Sequence, residues 1–411
     1  MIIKFKIIPE EQTIEGQFIV KKGEVDSDQF LLNEDFEVGA LWVDGHPLDP
    51  EEVSARVTYM DRDYQVRAYK FDPDFQELIV SYKGQLTGQV GAWPYVKDQI
   101  SPDFSLIRFE SLAYPLFYDN TSQGLTAYLR EGRMDDHIEV DLVGDQKLIS
   151  SASLVDIKDN CYQLRGDGRR INMAIGPYTH VKSNYGDFHV LGQGADTEGL
   201  VQDLEKAHGF LSDTFGKREV QTTTTYIEIP DGLGQFVDQG VAFILTSVLR
   251  EAKYRYSFIH EFTHLGWNPR ASQSVQKCRF FDEAYSNYLT LRVMEDIRDL
   301  VSAQALEEAL IRSYQKSLQS YDGRVAIVDY GKHDYGDQSY TIGALTLKAL
   351  EDYMGRPSFD LITRDFLEAY RSQEVDFDGF MAFYGARRPD LDLSPFFKDW
   401  LIGTDGHKKF Q

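Results

Sequence analysis

Short runs in which apolar and polar residues alternate follow one another through the first half of the chain. Alternation with a period of two predicts β-strands that each have one buried face. The runs extend to about residue 190, are separated by turn residues, and include IIKFKII, GQFIV, VSARVTYM, YQVRAYKF, ELIVSYKG and HIEVDLV. Because this half lacks long helical periods, we expect an all-β sandwich or saddle-like sheet domain.

The pattern changes to a helical period after the turn-forming stretch LGQGADTEG, residues 191 to 199. Asp196 or Thr197 is a predicted N-cap, and the apolar residues that follow recur at helical spacing. Residues 218 to 230, REVQTTTTYIEIP, are predicted to form one strand. Further helices are predicted at about 251 to 266, 279 to 297, 303 to 319, 338 to 354 and 357 to 371. We therefore predict an N-terminal β-sheet domain at 1 to 195 and a mainly helical domain at 196 to 411.

The net charge and the number of cysteines argue against several classes of protein. The net charge of -23 argues against a nucleic-acid partner and against docking on an anionic membrane, since both need a basic surface. Two cysteines, Cys161 and Cys278, are too few for a disulfide framework. The N-terminus becomes acidic too early for a secretory signal peptide, and the apolar run at 241 to 249 is too short to cross a bilayer. We expect a soluble cytoplasmic protein.

The pentapeptide HEFTH, residues 260 to 264, has the spacing of a metal site on a helix. Residues four apart lie on one face, so His260 and His264 can direct two imidazoles at one ion. Glu261 is rotated by about 100° and can reach a water molecule on that ion. Zinc accepts imidazole and carboxylate ligands, and a catalytic zinc has three protein ligands. The alternative is two histidines on a partly exposed helix face.

A carboxylate that can complete the site follows on the next predicted helix. Eighteen residues, 265 to 282, separate His264 from Glu283, which allows one helix to end and a second to return to the metal. Glu283 by itself could be a solvated helix charge. Its aromatic and small neighbours in RFFDEAYSNY make that alternative awkward, so Glu283 is the predicted third ligand.

These residues together resemble the gluzincin aminopeptidases, typified by aminopeptidase N. The family signature is His-Glu-x-x-His, eighteen residues and then Glu, which corresponds here to His260, Glu261, His264 and Glu283. The segment QSYTIGALTLKAL resembles the family's Tyr-x-x-Gly helix start, which implies that Tyr340 stabilises the oxyanion. The resemblance implies a thermolysin-like catalytic domain after the β domain. It covers nearly the whole chain, although the large C-terminal helical domain of many members is expected to be missing, because the sequence ends at Gln411.

One segment departs from the family pattern. Where the family carries Gly-x-Met-Glu-Asn, whose glutamate binds the substrate's free amine, this chain has GQFVD. The family's glutamate corresponds to Val237 and the following Asn to Asp238, while Gln235 occupies the variable position. A neutral valine cannot pair with an ammonium group. Either Asp238 substitutes, or the amine is bound elsewhere, or the enzyme is not a strict aminopeptidase; an edge strand here could still pair with a peptide backbone.

The predicted function is therefore a metallopeptidase with one Zn²⁺ per chain that trims short peptides, with the N-terminus as the expected point of cleavage. Glu261 is the predicted general base, and Asn287 could contact a ligand histidine through its side-chain oxygen. Two alternatives remain open. One is a zinc hydrolase of another specificity, such as an endopeptidase, a tripeptide-releasing enzyme or an esterase-like hydrolase. The other is a non-catalytic scaffold of the same fold.

Overall fold

The first strand illustrates how alternation becomes a sheet in the computed structural model. In Ile2–Ile8 the apolar residues Ile3, Phe5 and Ile7 are buried, whereas Lys4 and Lys6 are exposed. Side chains of successive strand residues point to opposite faces, so this strand covers a core on one face only. The structure describes residues 1–59, 62–88, 91, 93, 96–118, 124–130, 135–217, 224–275, 278–297, 299–320, 323–330 and 336–410.

The chain divides into two compact units that are interleaved in sequence. The first comprises Met1–Lys182, Asp187–Gly194 and Thr225–Thr246, and the second comprises Ser183–Gly186, Ala195–Thr224 and Ser247–Gln411. Near residue 195 the chain passes into the second unit, and it returns to the first unit for Thr225–Thr246. The domain boundary at this residue therefore stays a prediction.

Strands dominate the first unit. Among the described residues they are β1 (Ile2–Ile8), β2 (Thr13–Lys21), β3 (Gln29–Leu31), β4 (Phe36–Val43), β5 (His46–Leu48), β6 (Glu51–Tyr59), β7 (Arg62–Lys70), β8 (Glu77–Gln85), β9 (Ser105–Ile107), β10 (Leu116–Phe117), β11 (Asp136–Leu142), β12 (Lys147–Ser150), β13 (Ser153–Lys158), β14 (Cys161–Gly166), β15 (Met173–Gly176), β16 (Tyr178–Ser183), β17 (Gly186–Leu191), β18 (Thr225–Ile229), β19 (Phe236–Asp238) and β20 (Val241–Leu245). A short helix, α1 (Leu125–Arg130), lies among them in sequence. Residues 218 to 223 of the predicted strand lie outside the described part, and β18 forms its end.

The strands form four sheets of different sizes. The largest has the order β13-β14-β11-β1-β2-β8-β4-β5, and the pairing of β1 with β11 is parallel. Smaller sheets have the orders β10-β3-β7-β6 and β12-β15-β9. A five-stranded sheet, β16-β17-β18-β20-β19, ends in β19, which pairs antiparallel with β20. The sequence stretch GQFVD therefore contributes the edge strand of a sheet.

Helices dominate the second unit. They are α2 (Thr197–Phe215), α3 (Thr246–Arg250), α4 (Arg255–His264), α5 (Tyr285–Asp296), α6 (Leu300–Ser320), α7 (Gly336–Met354), α8 (Arg356–Ala369), α9 (Phe377–Arg387) and α10 (Ser394–Phe397). Two short strands, β21 (Arg270–Ala271) and β22 (Glu374–Val375), pair in parallel. The predicted fold class, a β-sheet domain followed by a mainly helical domain, is confirmed. None of the described helices has the length and apolar character needed to cross a membrane.

Two helix starts show what the sequence pattern captures and what it misses. Asp196 caps α2 as predicted, because its side chain accepts a hydrogen bond from the backbone N–H of Gly199 at 3.1 Å. The pattern does not predict α9, although Asp376 caps it in the same way. Its buried aromatic residues Phe377, Phe380 and Tyr384 lie on one face, but the exposed apolar residues Ala382 and Ala386 lie on the opposite side, so the contrast between the two faces is weak.

Candidate metal centre

Helix α4 carries the HEFTH pentapeptide in its last turns and directs both histidines to the same place. His260 and His264 are one turn apart, and their Nε2 atoms lie 3.1 Å from each other. Their rings are nearly perpendicular, with centroids 4.8 Å apart. Glu261, which follows His260 on the same helix, is buried, with 7% of its surface exposed. The local geometry predicted from the spacing is therefore present.

The third predicted ligand comes from a π-helical turn, Phe280–Ala284, that leads into α5. Phe280 and Phe281 pack against Phe377 and Phe380 of α9, which fixes one face of the turn in the core. Glu283 lies on the other face. Its Oε2 is 3.1 Å from Nε2 of His260 and 3.6 Å from Nε2 of His264. Two segments separated by a loop therefore bring one carboxylate to two imidazoles.

The spacing of these three atoms fits a tetrahedral zinc ion. Ligand atoms at about 2.0–2.1 Å from such an ion lie about 3.3 Å from one another. The observed separations of 3.1 Å, 3.1 Å and 3.6 Å scatter around that value. The three side chains are 13% to 15% exposed, so the site is reachable from solvent. His260, His264 and Glu283 are also the residues that could hold a metal ion among the described His, Cys, Asp and Glu side chains.

The ionisable groups at the site change one another's pKa values. Burial opposes ionisation of Glu283, but the charges of His264 and Arg279 outweigh it and hold the pKa of Glu283 well below its usual value. Burial also opposes protonation of His264, yet Glu283 and Asp282 together raise its pKa well above the usual value. Burial raises the pKa of Glu261, and the neighbouring histidines offset that only in part. A raised pKa suits a carboxylate that must both accept and return a proton.

A second group of polar residues orients His264, and no motif in the sequence marks it. Nδ1 of His264 lies 3.0 Å from Oδ1 of Asp282, which leaves Nε2 facing the other two candidate ligands. Asn268 donates to the same carboxylate oxygen at 3.1 Å, and Ser286 donates to Oδ1 of Asn268 at 3.1 Å. The available sequence signal was spacing: Asn268 is four residues after His264, and Asp282 directly precedes Glu283.

Tyr340 lies in the second turn of α7 and is tied to α5 through its backbone. The side-chain nitrogen of Asn287 donates a hydrogen bond to the carbonyl of Tyr340 at 3.1 Å. Asn287 thus contacts α7 through its side-chain nitrogen, and the expected contact of its side-chain oxygen with a ligand histidine stays a prediction. Because Asn287 is one helical turn after Glu283, this bond joins the helix that follows the third ligand to the helix that carries the predicted oxyanion donor.

Gly343 permits close packing between α7 and the π-helical turn. A Cβ atom added at Gly343 would lie 2.6 Å from Cβ of Ala284 and 3.0 Å from Cδ2 of Phe280. Neither neighbour is the end of a flexible side chain, so the helices would have to separate. The glycine three residues after Tyr340 therefore sets the distance between Tyr340 and the segment that carries Glu283.

We predict that Gly343→Ala destabilises the protein, whereas Gly209→Ala in α2 stabilises it. Overpacking costs about 1–3 kcal/mol, which exceeds the gain in helix propensity of about 1 kcal/mol. Around Gly209 an added Cβ meets no atom within 4 Å, so only the propensity gain remains there. The urea midpoint should fall for the first variant and rise for the second. A Gly343→Ala midpoint equal to or above that of wild type would contradict this packing argument.

The fold of the chain is similar to those of several solved structures. Yeast LTA4 hydrolase in complex with bestatin matches at a TM-score of 0.65 and 14% identity, over 97% of this chain and 66% of that chain. An aminopeptidase N family protein from Idiomarina loihiensis matches at a TM-score of 0.66 and 12% identity, over 98% of this chain and 76% of that one. An M1 zinc metallopeptidase from Deinococcus radiodurans, a mutant bound to a Tyr-Ser-Ala substrate, matches at 0.58 and 12% identity, over 97% and 92%.

The chain has the fold of the M1 zinc metallopeptidases. The structural similarity establishes the fold, but at sequence identities of 12% to 14% it does not establish the activity, which has to be argued from the site. The chain spans about two thirds of the yeast hydrolase, 66% of its length. No family model and no curated protein matches the chain.

The segment that departs from the aminopeptidase pattern lies in the first compact unit of this M1-type fold. Gln235 precedes β19, and its Oε1 accepts a hydrogen bond from the backbone N–H of Leu245 at 3.1 Å. Val237 is half-buried and lies opposite Ala242 in β20. The side chain at the position of the family's glutamate is thus an apolar one on an edge strand.

Asp238 has its charge neutralised within the same unit. It is 5% exposed, pairs with the guanidinium of Arg170, and accepts a hydrogen bond from Nδ2 of Asn172 at 2.6 Å. Burial raises the pKa of Asp238 to about 6, against the opposing effects of Arg170 and Asn172. Each carboxylate oxygen therefore has a protein partner. Binding a substrate ammonium at Asp238 would require displacement of Arg170 or Asn172.

Proposed function

We propose that this protein is a zinc-dependent peptidase that hydrolyses short peptides. The observation that carries the proposal is the convergence of His260 Nε2, His264 Nε2 and Glu283 Oε2 within 3.1 Å to 3.6 Å, with buried Glu261 on the same helix as the two histidines. The M1-type fold supports it, since the solved proteins that share this fold include zinc metallopeptidases. The cytoplasmic location and the peptide substrate that we expect from the sequence are part of the same proposal.

The residues divide the chemistry between them. His260, His264 and Glu283 would hold the zinc ion, which when bound supplies Lewis-acid chemistry that polarises a carbonyl and acidifies a water molecule. Glu261 takes the proton from the attacking water as the C–O bond forms. It then delivers a proton to the leaving amine as the C–N bond breaks. Tyr340 donates a hydrogen bond to the oxyanion, a contribution typically worth roughly 3 kcal/mol.

Two specificities are compatible with this centre. An aminopeptidase would select peptides with a free N-terminal amine, as the resemblance to aminopeptidase N implies. The alternative is a zinc hydrolase without that requirement, such as an endopeptidase. The neutral Val237 and the pairing of Asp238 with Arg170 and Asn172 favour the alternative, because neither side chain offers a free carboxylate for an ammonium group.

A matched pair of substrates distinguishes the two specificities and tests the peptidase itself. We expect hydrolysis of Tyr-Ser-Ala or of longer peptides that begin with it, loss of the rate after zinc chelation, and recovery when zinc is restored. An ion pair to the amine is worth about 1.5–3 kcal/mol, so N-acetylation should slow an amine-selecting enzyme roughly 10- to 100-fold. Rates for free and acetylated peptides that agree within about threefold would identify the alternative. A zinc-free purified protein with no hydrolysis of either peptide would favour the non-catalytic scaffold.

A further inference from the structure

A partly buried cation lies beside the candidate metal ligands and has no role in the mechanism above. Arg279, which is 15% exposed, precedes the π-helical turn. One of its terminal nitrogens is 2.8 Å from Oε1 of Glu283 and 2.6 Å from Oδ2 of Asp282. Its Nε is 3.2 Å from the same Asp282 oxygen. The guanidinium therefore bridges the third ligand and the carboxylate that orients His264.

The two oxygens of Glu283 have different partners as a result. Oε1 accepts from Arg279, whereas Oε2 faces the Nε2 atoms of His260 and His264. A carboxylate free to rotate could offer either oxygen, or both, to a metal ion. Because a charge-assisted hydrogen bond holds Oε1, only Oε2 is presented to the centre.

Charge balance gives the same cation a second effect. Asp282 and Glu283 are adjacent acidic residues in a site with little exposure to water, where uncompensated negative charge is costly. The guanidinium of Arg279 contacts both carboxyl groups and therefore compensates part of that charge.

Arg279 also contacts the predicted oxyanion donor. Its guanidinium carbon lies 5.4 Å from the centroid of the Tyr340 ring, within the range of a cation–π interaction. Asn287 fixes the backbone of Tyr340 from α5 at 3.1 Å. One side chain thus contacts both the third ligand and the ring of the residue that would bind the oxyanion.

We propose that Arg279 is a positioning residue that holds Glu283 in a one-oxygen orientation toward the metal and holds Tyr340 beside the same centre. The inference rests on the zinc centre of the proposed function, but it concerns metal affinity as well as turnover. This role distinguishes Arg279 from arginines of the same unit whose ion pairs join helices. Arg356, which pairs with Glu295 and Glu351, is an example.

The test compares Arg279→Met, Arg279→Lys and the control Arg356→Met. Zinc affinity is measured by competition with a chromophoric chelator, and kcat and KM are measured on a cleaved peptide at saturating zinc. Loss of a residue that orients a metal ligand typically costs about 10- to 100-fold in affinity, and we expect this range for Arg279→Met. We expect a lower kcat at unchanged KM, and partial recovery of affinity and kcat in Arg279→Lys, which retains the charge without the guanidinium fork. Arg356→Met should leave zinc affinity within about threefold of wild type.

Three results decide the proposal. A folded Arg279→Met protein with zinc affinity and kcat within about threefold of wild type overturns it. If Arg279→Met does not fold, Arg279→Lys decides, and wild-type affinity and kcat in that variant overturn the proposal. If the wild-type protein binds zinc but cleaves no peptide, the peptidase function fails separately. A weaker zinc complex in Arg279→Met then still supports the ligand-positioning role.

Discussion

Glu261→Gln is expected to abolish most peptide hydrolysis while the protein still binds one zinc ion per chain. A positioned general acid–base group typically contributes about 10²- to 10⁴-fold to rate, and we expect kcat to fall by that factor. Glutamine has the shape of glutamate but cannot take the proton of the attacking water. Zinc should be retained because Glu261 is not among the three side chains that converge on the site.

The measurements for Glu261→Gln are zinc content by elemental analysis and kcat on the peptide that wild type cleaves. Glu308→Gln is the matched control, since Glu308 is an exposed glutamate on α6 that pairs with Arg312. It should retain both zinc and turnover. Near wild-type hydrolysis by Glu261→Gln would exclude Glu261 as the general base and with it the mechanism proposed here.

Glu283→Ala is expected to weaken zinc binding itself. Removing a residue that only orients a ligand costs about 10- to 100-fold, so removal of a ligand should cost at least about 100-fold. Zinc at 100 times the wild-type dissociation constant should stabilise wild type by about 2.7 kcal/mol and a variant with 100-fold weaker binding by only about 0.4 kcal/mol. The zinc-dependent rise in Tm should therefore largely disappear.

Thermal denaturation with and without zinc measures this difference directly. Asp296→Ala is the control, because Asp296 is an exposed carboxylate at the end of the same helix, α5. Its zinc-dependent shift should match that of wild type. An undiminished shift in Glu283→Ala would show that Glu283 is not a zinc ligand, and the three-residue centre would have to be abandoned.

The sequence by itself determined many of the strands and helices and the local part of the site. Alternation in Ile2–Ile8 predicts one buried face because strand side chains point to opposite sides at every second residue. The four-residue spacing of His260 and His264 places both on one face of α4 because a helix turns once in 3.6 residues. Both results depend on backbone geometry over a few residues, which the order of the amino acids specifies directly. The resemblance to gluzincin aminopeptidases added Tyr340 and the family's spacing to Glu283.

Only the tertiary structure decided which partners the remaining residues have. Arg170 forms an ion pair with Asp238 and Asn172 donates a hydrogen bond to it, although they are 68 and 66 positions away in the sequence. Asn287 bonds to the carbonyl of Tyr340, 53 residues away, and Arg279 contacts the ring of the same tyrosine. Such contacts depend on how sheets and helices pack, and a periodic pattern along one segment carries no information about the segment packed against it. The sequence thus determined which groups face the same way on one element, and the packing of separate elements determined which of them meet.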